Sequence, residues 1–169
     1  MKTESDSEFR LPLLPYRFRH AGYVMIILGF GAAYLYFRGG RPAFFEIPVF
    51  AVVTSYAETR WFVIAQTNSL DEIAFLFLLF GLLFIGFSKK KTENHLTNHT
   101  RIKALFYSAY ITTILWGAAY LTVYGWPIIA VSSFIFAVFL LVNIIMLQIL
   151  FARFNARKNL PPTNNQVIP

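Results

Sequence analysis

Residues 73–87, IAFLFLLFGLLFIGF, contain no charged residue and no histidine. Three further stretches, at 22–37, 104–124 and 128–151, have the same character. An α-helix needs about 20 mostly apolar residues to cross the hydrocarbon of a bilayer, and each stretch with its flanks approaches that length. The sequence therefore predicts an all-α integral membrane protein with four transmembrane helices, at about 22–37, 71–89, 103–124 and 127–153.

Four spans divide the basic residues unequally between the two sides. Of the 15 Lys and Arg, twelve fall on one side, and only Arg38, Arg41 and Arg60 fall on the other. Because positively charged loops stay in the cytoplasm, we expect both termini to be cytoplasmic. The net charge of +7 is concentrated beside helix ends, which indicates contact with membrane lipids and argues against a nucleic-acid partner.

Residues 44–68 are apolar enough to suggest a fifth helix. Glu46 and Pro48 at one end, with Glu58 and Arg60 at the other, leave an apolar core too short to span. The segment is also rich in β-branched residues, and a fifth helix would move the N-terminal arginines to the wrong side. The sequence therefore predicts an extracytoplasmic β-hairpin at about 45–67, between helices 1 and 2, with strands at 46–54 and 60–67.

The ends of the helices carry local signals. Ser69 followed three residues later by Glu72 has the form of a capping box at the start of the second helix. Gly125 and Pro127 suit the short connection between the third and fourth helices. We expect these two helices to form an antiparallel pair. Residues 1–158 are predicted to be a single four-helix membrane domain, and 159–169 a disordered tail.

Small and weakly polar residues predict where the helices pack. Small side chains four residues apart lie on one helical face and let neighbouring helices approach closely. Three such pairs occur, namely Gly29 with Ala33, Thr113 with Gly117, and Ser133 with Ala137. Asn143 lies deep in the fourth span, where it needs a hydrogen-bond partner. We expect that partner to be Thr112, Thr113 or a tyrosine on another helix.

Few residues in the chain could support catalysis or bind a metal. The sequence has no cysteine, no nucleophile beside a base and no glycine-rich phosphate loop. His95 and His99 have the spacing of metal ligands, but no third ligand is identifiable near them. We therefore expect no enzymatic activity, no cofactor and no metal site.

Several short motifs resemble a known family. They are Leu70-Asp71-Glu72-Ile73, Gly86-Phe87-Ser88-Lys89-Lys90-Lys91, Val49-Phe50-Ala51 and Arg153-Phe154-Asn155. Over residues 45–155 the chain is similar to small four-helix inner-membrane proteins of Bacteroidota. The resemblance implies a multi-pass protein of a bacterial inner membrane. Family members tend to be encoded beside helix-turn-helix regulators, which implies a signalling or regulatory link.

Two functional hypotheses remain from the sequence. The first is a non-enzymatic membrane protein that acts through protein–protein contacts, as an accessory subunit or a signalling module. Its predicted partner-binding residues are Trp61 and Phe62 on the hairpin and Lys89, Lys90 and Lys91 in the cytoplasmic turn. The alternative is a small transporter or channel-forming oligomer. Ion pathways usually contain ionisable groups or broken helices within the membrane. The sequence predicts neither, which favours the first hypothesis.

Overall fold

A computed structural model describes residues 11–55, 59–91 and 96–158. Within these ranges the chain has five α-helices and one two-stranded sheet. It divides into two compact units, Pro15–Ser88 and Lys89–Pro169, the second of which also includes Met1–Leu14. The predicted tail at 159–169 lies outside the described residues. That residues 1–158 form a single domain stays a prediction.

The unit Pro15–Ser88 is a helical pair joined by a β-hairpin. Its elements are α1 (Arg17–Arg38), a 3₁₀ turn (Ala43–Phe45), β1 (Glu46–Ser55), β2 (Thr59–Asn68) and α2 (Leu70–Phe87). The predicted hairpin is confirmed. In the antiparallel ladder Glu46 pairs with Asn68 and Ser55 with Thr59, so each strand is one to two residues longer than predicted.

Helices α1 and α2 touch where both have glycine. A Cβ built at Gly22 would lie 2.8 Å from the carbonyl oxygen of Gly81, and one built at Gly81 would lie 2.9 Å from that of Gly22. Further along, a Cβ at Gly29 would lie 3.1 Å from the carbonyl oxygen of Ala74. Later residues of α1 therefore contact earlier residues of α2, so the two helices are antiparallel. Their backbones are close enough that no side chain fits between them at Gly22 and Gly81.

Helix α1 begins five residues before the predicted start, since residues 17–21 are helical. The ring of Phe18 packs edge-on against that of Phe84 in α2, with centroids 5.2 Å apart. This contact with α2 gives the basic segment around Phe18 a packing partner, which the hydropathy pattern alone does not reveal. Tertiary packing of this kind commonly sets helix boundaries.

The start of α2 differs from the predicted capping box. Ser69 precedes the helix but makes no side-chain cap bond, and its hydroxyl donates to the carbonyl of Phe45 at 3.3 Å. The side chain of Asn68 satisfies the first amide of the helix in its place, because Asn68 Oδ1 accepts a hydrogen bond from the amide of Leu70 at 3.2 Å. The hydroxyl of Ser69 thus binds the hairpin to the helix and is not available to cap it.

The second unit contains α3 (Leu96–Thr122), α4 (Trp126–Ser133) and α5 (Ile135–Lys158). Helix α3 packs along α5, as expected for a pair with a short connection. The connection contains Gly125 at a φ of 76°, a conformation that strongly favours glycine, and Pro127 lies in the first turn of α4. Pro127 therefore lies where the sequence predicts, whereas Gly125, with a ψ of −150°, precedes α4 and does not form the left-handed cap expected at the end of α3.

The predicted fourth helix is broken after Ser133 into α4 and α5. The amide of Phe134 donates to the carbonyl of Val131 at 3.2 Å, a contact of the 3₁₀ type. The hydroxyl of Ser133 donates to the carbonyl of Ile129 at 2.9 Å. Serine side chains that bond back to the preceding turn compete with the helical ladder and bend helices. The helix predicted at 127–153 is therefore interrupted near its start, although α5 is unbroken over the rest of that range.

Four of the helices are long and apolar enough to cross a membrane. These spans are Arg17–Arg38, Leu70–Phe87, Asn98–Thr122 and Ile135–Ala156. Their share of buried residues is low, from 11% in the first to 28% in the second. Large apolar side chains therefore cover the outside of the helices, which is the surface expected of helices solvated by lipid.

Candidate functional site

The hairpin exposes a continuous apolar surface. Phe50 pairs with Ile64 across the two strands, and the Phe50 and Phe62 rings lie 6.4 Å apart on the same face. We call this surface the hairpin face, and its exposed residues are Phe50, Val52, Phe62 and Ile64. On the opposite face Ala51 pairs with Val63, and both are half-buried. The opposite face is partly covered at Ala51 and Val63, but it is open at Val53, which is 47% exposed, and at its partner Trp61.

Trp61 is a third large exposed side chain of β2, and its pairing places it on the face opposite Ile64. It pairs with Val53, and 64% of its surface is exposed, compared with 68% for Phe62. Exposed apolar groups of this size on adjacent residues are typical of surfaces that bind a partner. The structure therefore places both sequence-predicted hairpin residues at accessible positions.

Phe62 has an unusual backbone conformation. Its φ is 53°, in the left-handed region that bulky side chains rarely adopt. In the ladder, Val52 is the one residue from Glu46 to Ser55 without a pairing partner, and it lies opposite Phe62. Such a conformation costs about 1–2 kcal/mol for a residue with a Cβ. Strain of this kind is often found at functional positions.

Three hydrogen bonds anchor the base of the hairpin to the helical pair. The amide of Ser69 donates to the carbonyl of Phe45 at 3.0 Å, in addition to the hydroxyl contact already described. The side-chain amide of Asn68 donates to the carbonyl of Pro42 at 3.2 Å. Because these contacts link both ends of the hairpin to the start of α2, they fix its base in place.

The three lysines after α2 differ in their surroundings. Lys89 and Lys91 are exposed, whereas the ammonium group of half-buried Lys90 lies 4.0 Å above the ring of Phe151 in α5. A cation over an aromatic face is attracted by the ring quadrupole. The amide of Lys89 donates to the carbonyl of Leu14 at 3.0 Å. Of the predicted basic surface, Lys89 and Lys91 are therefore the more accessible members.

The predicted packing residues occupy different environments. Gly29 is buried against Leu78 and Ala74 of α2, and Ala33 is half-buried. Thr113 is exposed, and a Cβ at Gly117 would meet no atom within 4 Å. These two residues of α3 therefore lie outside its packed face. Ser133 is exposed beside the helix break, and Ala137 is half-buried.

The packed faces of α3 and α5 carry polar groups that the small-residue pattern does not identify. On α3 the buried residues are Arg101, Ala104, Ser108 and Thr112, and on α5 they are Leu140, Asn143 and Leu147. Ser108 donates to the carbonyl of Ala104 at 2.6 Å. Among the described residues, Thr112 Oγ1 is buried with no hydrogen-bond partner, so the predicted bond from Asn143 to Thr112 is not formed. The burial of Asn143 agrees with its predicted depth.

No cluster of three or more His, Cys, Asp or Glu that could hold a metal occurs in the described part of the chain. His99 lies on α3, whereas His95 is outside the described residues.

Comparisons with known proteins give no further assignment. No protein-family model, curated protein or solved structure matches the chain. The resemblance to the Bacteroidota family therefore stays a prediction, and the candidate site rests on the geometry of the hairpin.

Proposed function

We propose that the chain is a non-enzymatic integral membrane protein that acts through protein–protein contacts, as an accessory subunit or a signalling module. Four helices of sufficient length and apolarity support the membrane part of this proposal. The unequal distribution of Lys and Arg supports cytoplasmic termini and an extracytoplasmic hairpin. A bacterial inner membrane is supported by the sequence resemblance alone.

A single observation carries the proposal. The hairpin face and the neighbouring Trp61 are exposed, although the base of the hairpin is anchored to the helical pair. A two-stranded ribbon is marginally stable by itself, so it needs support from other surfaces. The helical pair supplies that support at the base, through Ser69 and Asn68. Towards its tip the exposed aromatic side chains have no comparable cover. A protein partner would bury them and complete the structure.

Strand addition is the recognition mode that this geometry favours. In a two-stranded sheet each strand has an open edge that can pair with an extended segment of another protein. The edge of β1 contains Pro48, which has no amide hydrogen to donate. β2 contains no proline, and from residue 63 to 68 it has regular pairing with β1. The outer edge of β2 is therefore the better site, with Trp61 and Phe62 beside it.

The proposal is tested by replacing Trp61 and Phe62 with Ala together. Burying a side chain of this size contributes about 1.5–3 kcal/mol, so the double change should weaken binding by roughly 100-fold or more. Co-purification in mild detergent followed by mass spectrometry measures the loss. A matched control replaces Phe37 and Phe44 with Ala, since these are 78% and 87% exposed but lie outside the hairpin.

One result would refute the assignment of partner binding to the hairpin. It is a partner that stays bound to the double variant but is released when Lys89, Lys90 and Lys91 are replaced by Gln. The functional surface would then be the basic turn, where the exposed ammonium groups of Lys89 and Lys91 suit an acidic partner.

One observation favours a small transporter or channel-forming oligomer as a second candidate. Broken helices contribute to many transport sites, and α4 and α5 are separated at Phe134. The local bond from Ser133 to Ile129 accounts for the break without a ligand, so we rank transport second. Ion flux in proteoliposomes that disappears in the Ser133→Ala variant would reverse this order.

A further inference from the structure

An apolar groove of about 590 Å³ lies between α1 and α2, near the end of the pair that carries the hairpin. Its walls include Ile27, Gly31 and Leu35 from α1 and Leu70, Ile73 and Phe77 from α2. Phe45 of the 3₁₀ turn also lines the groove, and among the described residues that line it only Tyr34 has a polar side-chain group. Such a surface suits a hydrocarbon ligand.

The groove runs along α1 from Ile27 to Leu35, about 12 Å, and Arg38 lies three residues beyond its end. Ile27 and Arg38, the last residue of α1, are eleven residues apart, which is about 16 Å along an α-helix. Half of the hydrocarbon core of a bilayer is about 15 Å thick. If Arg38 lies at the membrane surface, Ile27 therefore lies near the midplane, and the groove follows the depth that one acyl chain occupies.

The positive charge of Arg38, just beyond the end of the groove, indicates a ligand with an anionic group. Arg38 is exposed, and it lies four residues after Tyr34 and seven after Gly31, on the same face of α1 as the groove. The guanidinium group binds phosphate oxygens through two parallel hydrogen bonds. Arg41 is the nearby alternative, but its guanidinium lies 4.5 Å above the ring of Tyr36.

We propose that this groove binds one acyl chain of an anionic phospholipid, with the lipid phosphate at Arg38. The inference rests on the proposed membrane insertion, but it is independent of the partner-binding role of the hairpin. The lipid would fill the space beside Gly31 and hold α1 and α2 together from the outside.

Gly31 makes the proposal testable without disturbing the contact between the helices. A Cβ at Gly31 would meet no atom within 4 Å, so Gly31→Leu places its side chain in the open groove. Gly117 of α3 is the matched control, because a Cβ there also meets no atom within 4 Å and Gly117 lies outside the groove. Gly31→Leu and Gly117→Leu therefore add the same side chain at an open position, but only Gly31→Leu adds it to the groove.

The measurement is native mass spectrometry of the full chain in mild detergent, with equal amounts of phosphatidylglycerol and phosphatidylcholine of the same acyl chains. We expect one retained phosphatidylglycerol. Gly31→Leu should lower the bound fraction of both lipids at least about tenfold, and Arg38→Gln should reduce the preference for phosphatidylglycerol about tenfold. Gly117→Leu should leave both values unchanged.

Three outcomes would overturn the proposal. The first is lipid retention that is unchanged in Gly31→Leu. The second is equal retention of the two lipids that Arg38→Gln does not alter, which would remove the role of the phosphate site. The third is a dimer without lipid that Gly31→Leu converts to a monomer, which would make the groove an interface between two copies. Lipid retention with no protein partner would count against the hairpin function alone.

Discussion

Replacing Gly81 with Ala places a methyl group where α1 and α2 are closest. The new Cβ would lie 2.7 Å from Ile26 Cγ1 and 2.9 Å from the carbonyl oxygen of Gly22. The side chain of Ile26 can rotate, but a backbone oxygen can move only if the two helices separate. The added methyl group must therefore loosen this contact.

The expected magnitude follows from comparison with a second glycine. Gly31→Ala adds the same methyl group to a helix where no atom lies within 4 Å. Each change gains about 1 kcal/mol of helix propensity, so this gain cancels in the difference between the two variants. Overpacking of a close contact costs about 1–3 kcal/mol. Gly81→Ala should therefore be less stable than Gly31→Ala by about 1–3 kcal/mol.

Thermal unfolding of both variants in the same detergent measures this difference. For a chain of this length, 1 kcal/mol corresponds to a shift of about 2–4 °C in the melting temperature. Gly22→Ala should behave like Gly81→Ala, because a Cβ there lies 2.8 Å from the carbonyl oxygen of Gly81. The two changes should not be additive, since the first already separates the helices. Equal melting temperatures for Gly81→Ala and Gly31→Ala would refute the close approach.

Three shorter predictions concern other parts of the chain. An impermeant maleimide added to intact spheroplasts should label Tyr124→Cys but not Lys91→Cys, and the reverse pattern would invert the proposed topology. Phe62→Gly relieves the left-handed backbone, so its hairpin amides should exchange more slowly than those of Phe62→Ala, and faster exchange would show that this conformation is unstrained. Thr112→Val removes a buried hydroxyl without a described partner, so it should be neutral or stabilising by up to about 1–3 kcal/mol in thermal unfolding. A melting temperature several degrees lower would show that the hydroxyl has a partner, such as a water.

The sequence predicts the elements of this fold better than it predicts their contacts. The hairpin follows from local properties, because Pro48 and the frequent β-branched residues exclude a long helix wherever the segment packs. The contact between Gly22 and Gly81 joins two helices, and spacing within one helix cannot identify the opposite residue. The sequence does contain a pattern that indicates these two faces. Gly22 and Gly29 are seven residues apart, and so are Ala74 and Gly81.

The helix break and the candidate surfaces show the same limit. The adjacent Ser132 and Ser133 indicate a possible bend, but whether their hydroxyls bond back to the helix depends on side-chain rotamers. Trp61 and Phe62 could be selected from the sequence because two large aromatic side chains stand together on a short strand. The left-handed φ of Phe62 and the groove beside Gly31 do not follow from the sequence, since both depend on how each segment is held by its neighbours.

The division of the chain into units has a consequence for biosynthesis. All elements of Pro15–Ser88 are consecutive, so the glycine contact and the hairpin can form before residues 96–158 leave the ribosome. Domains assembled from neighbouring segments form their contacts quickly, because little chain entropy is lost in closing short loops. We therefore expect insertion to proceed as two successive helical hairpins, with the first already folded when the second emerges. A nascent chain that has emerged as far as Ser88 would then be a folded intermediate, able to bind the proposed phospholipid before synthesis is complete.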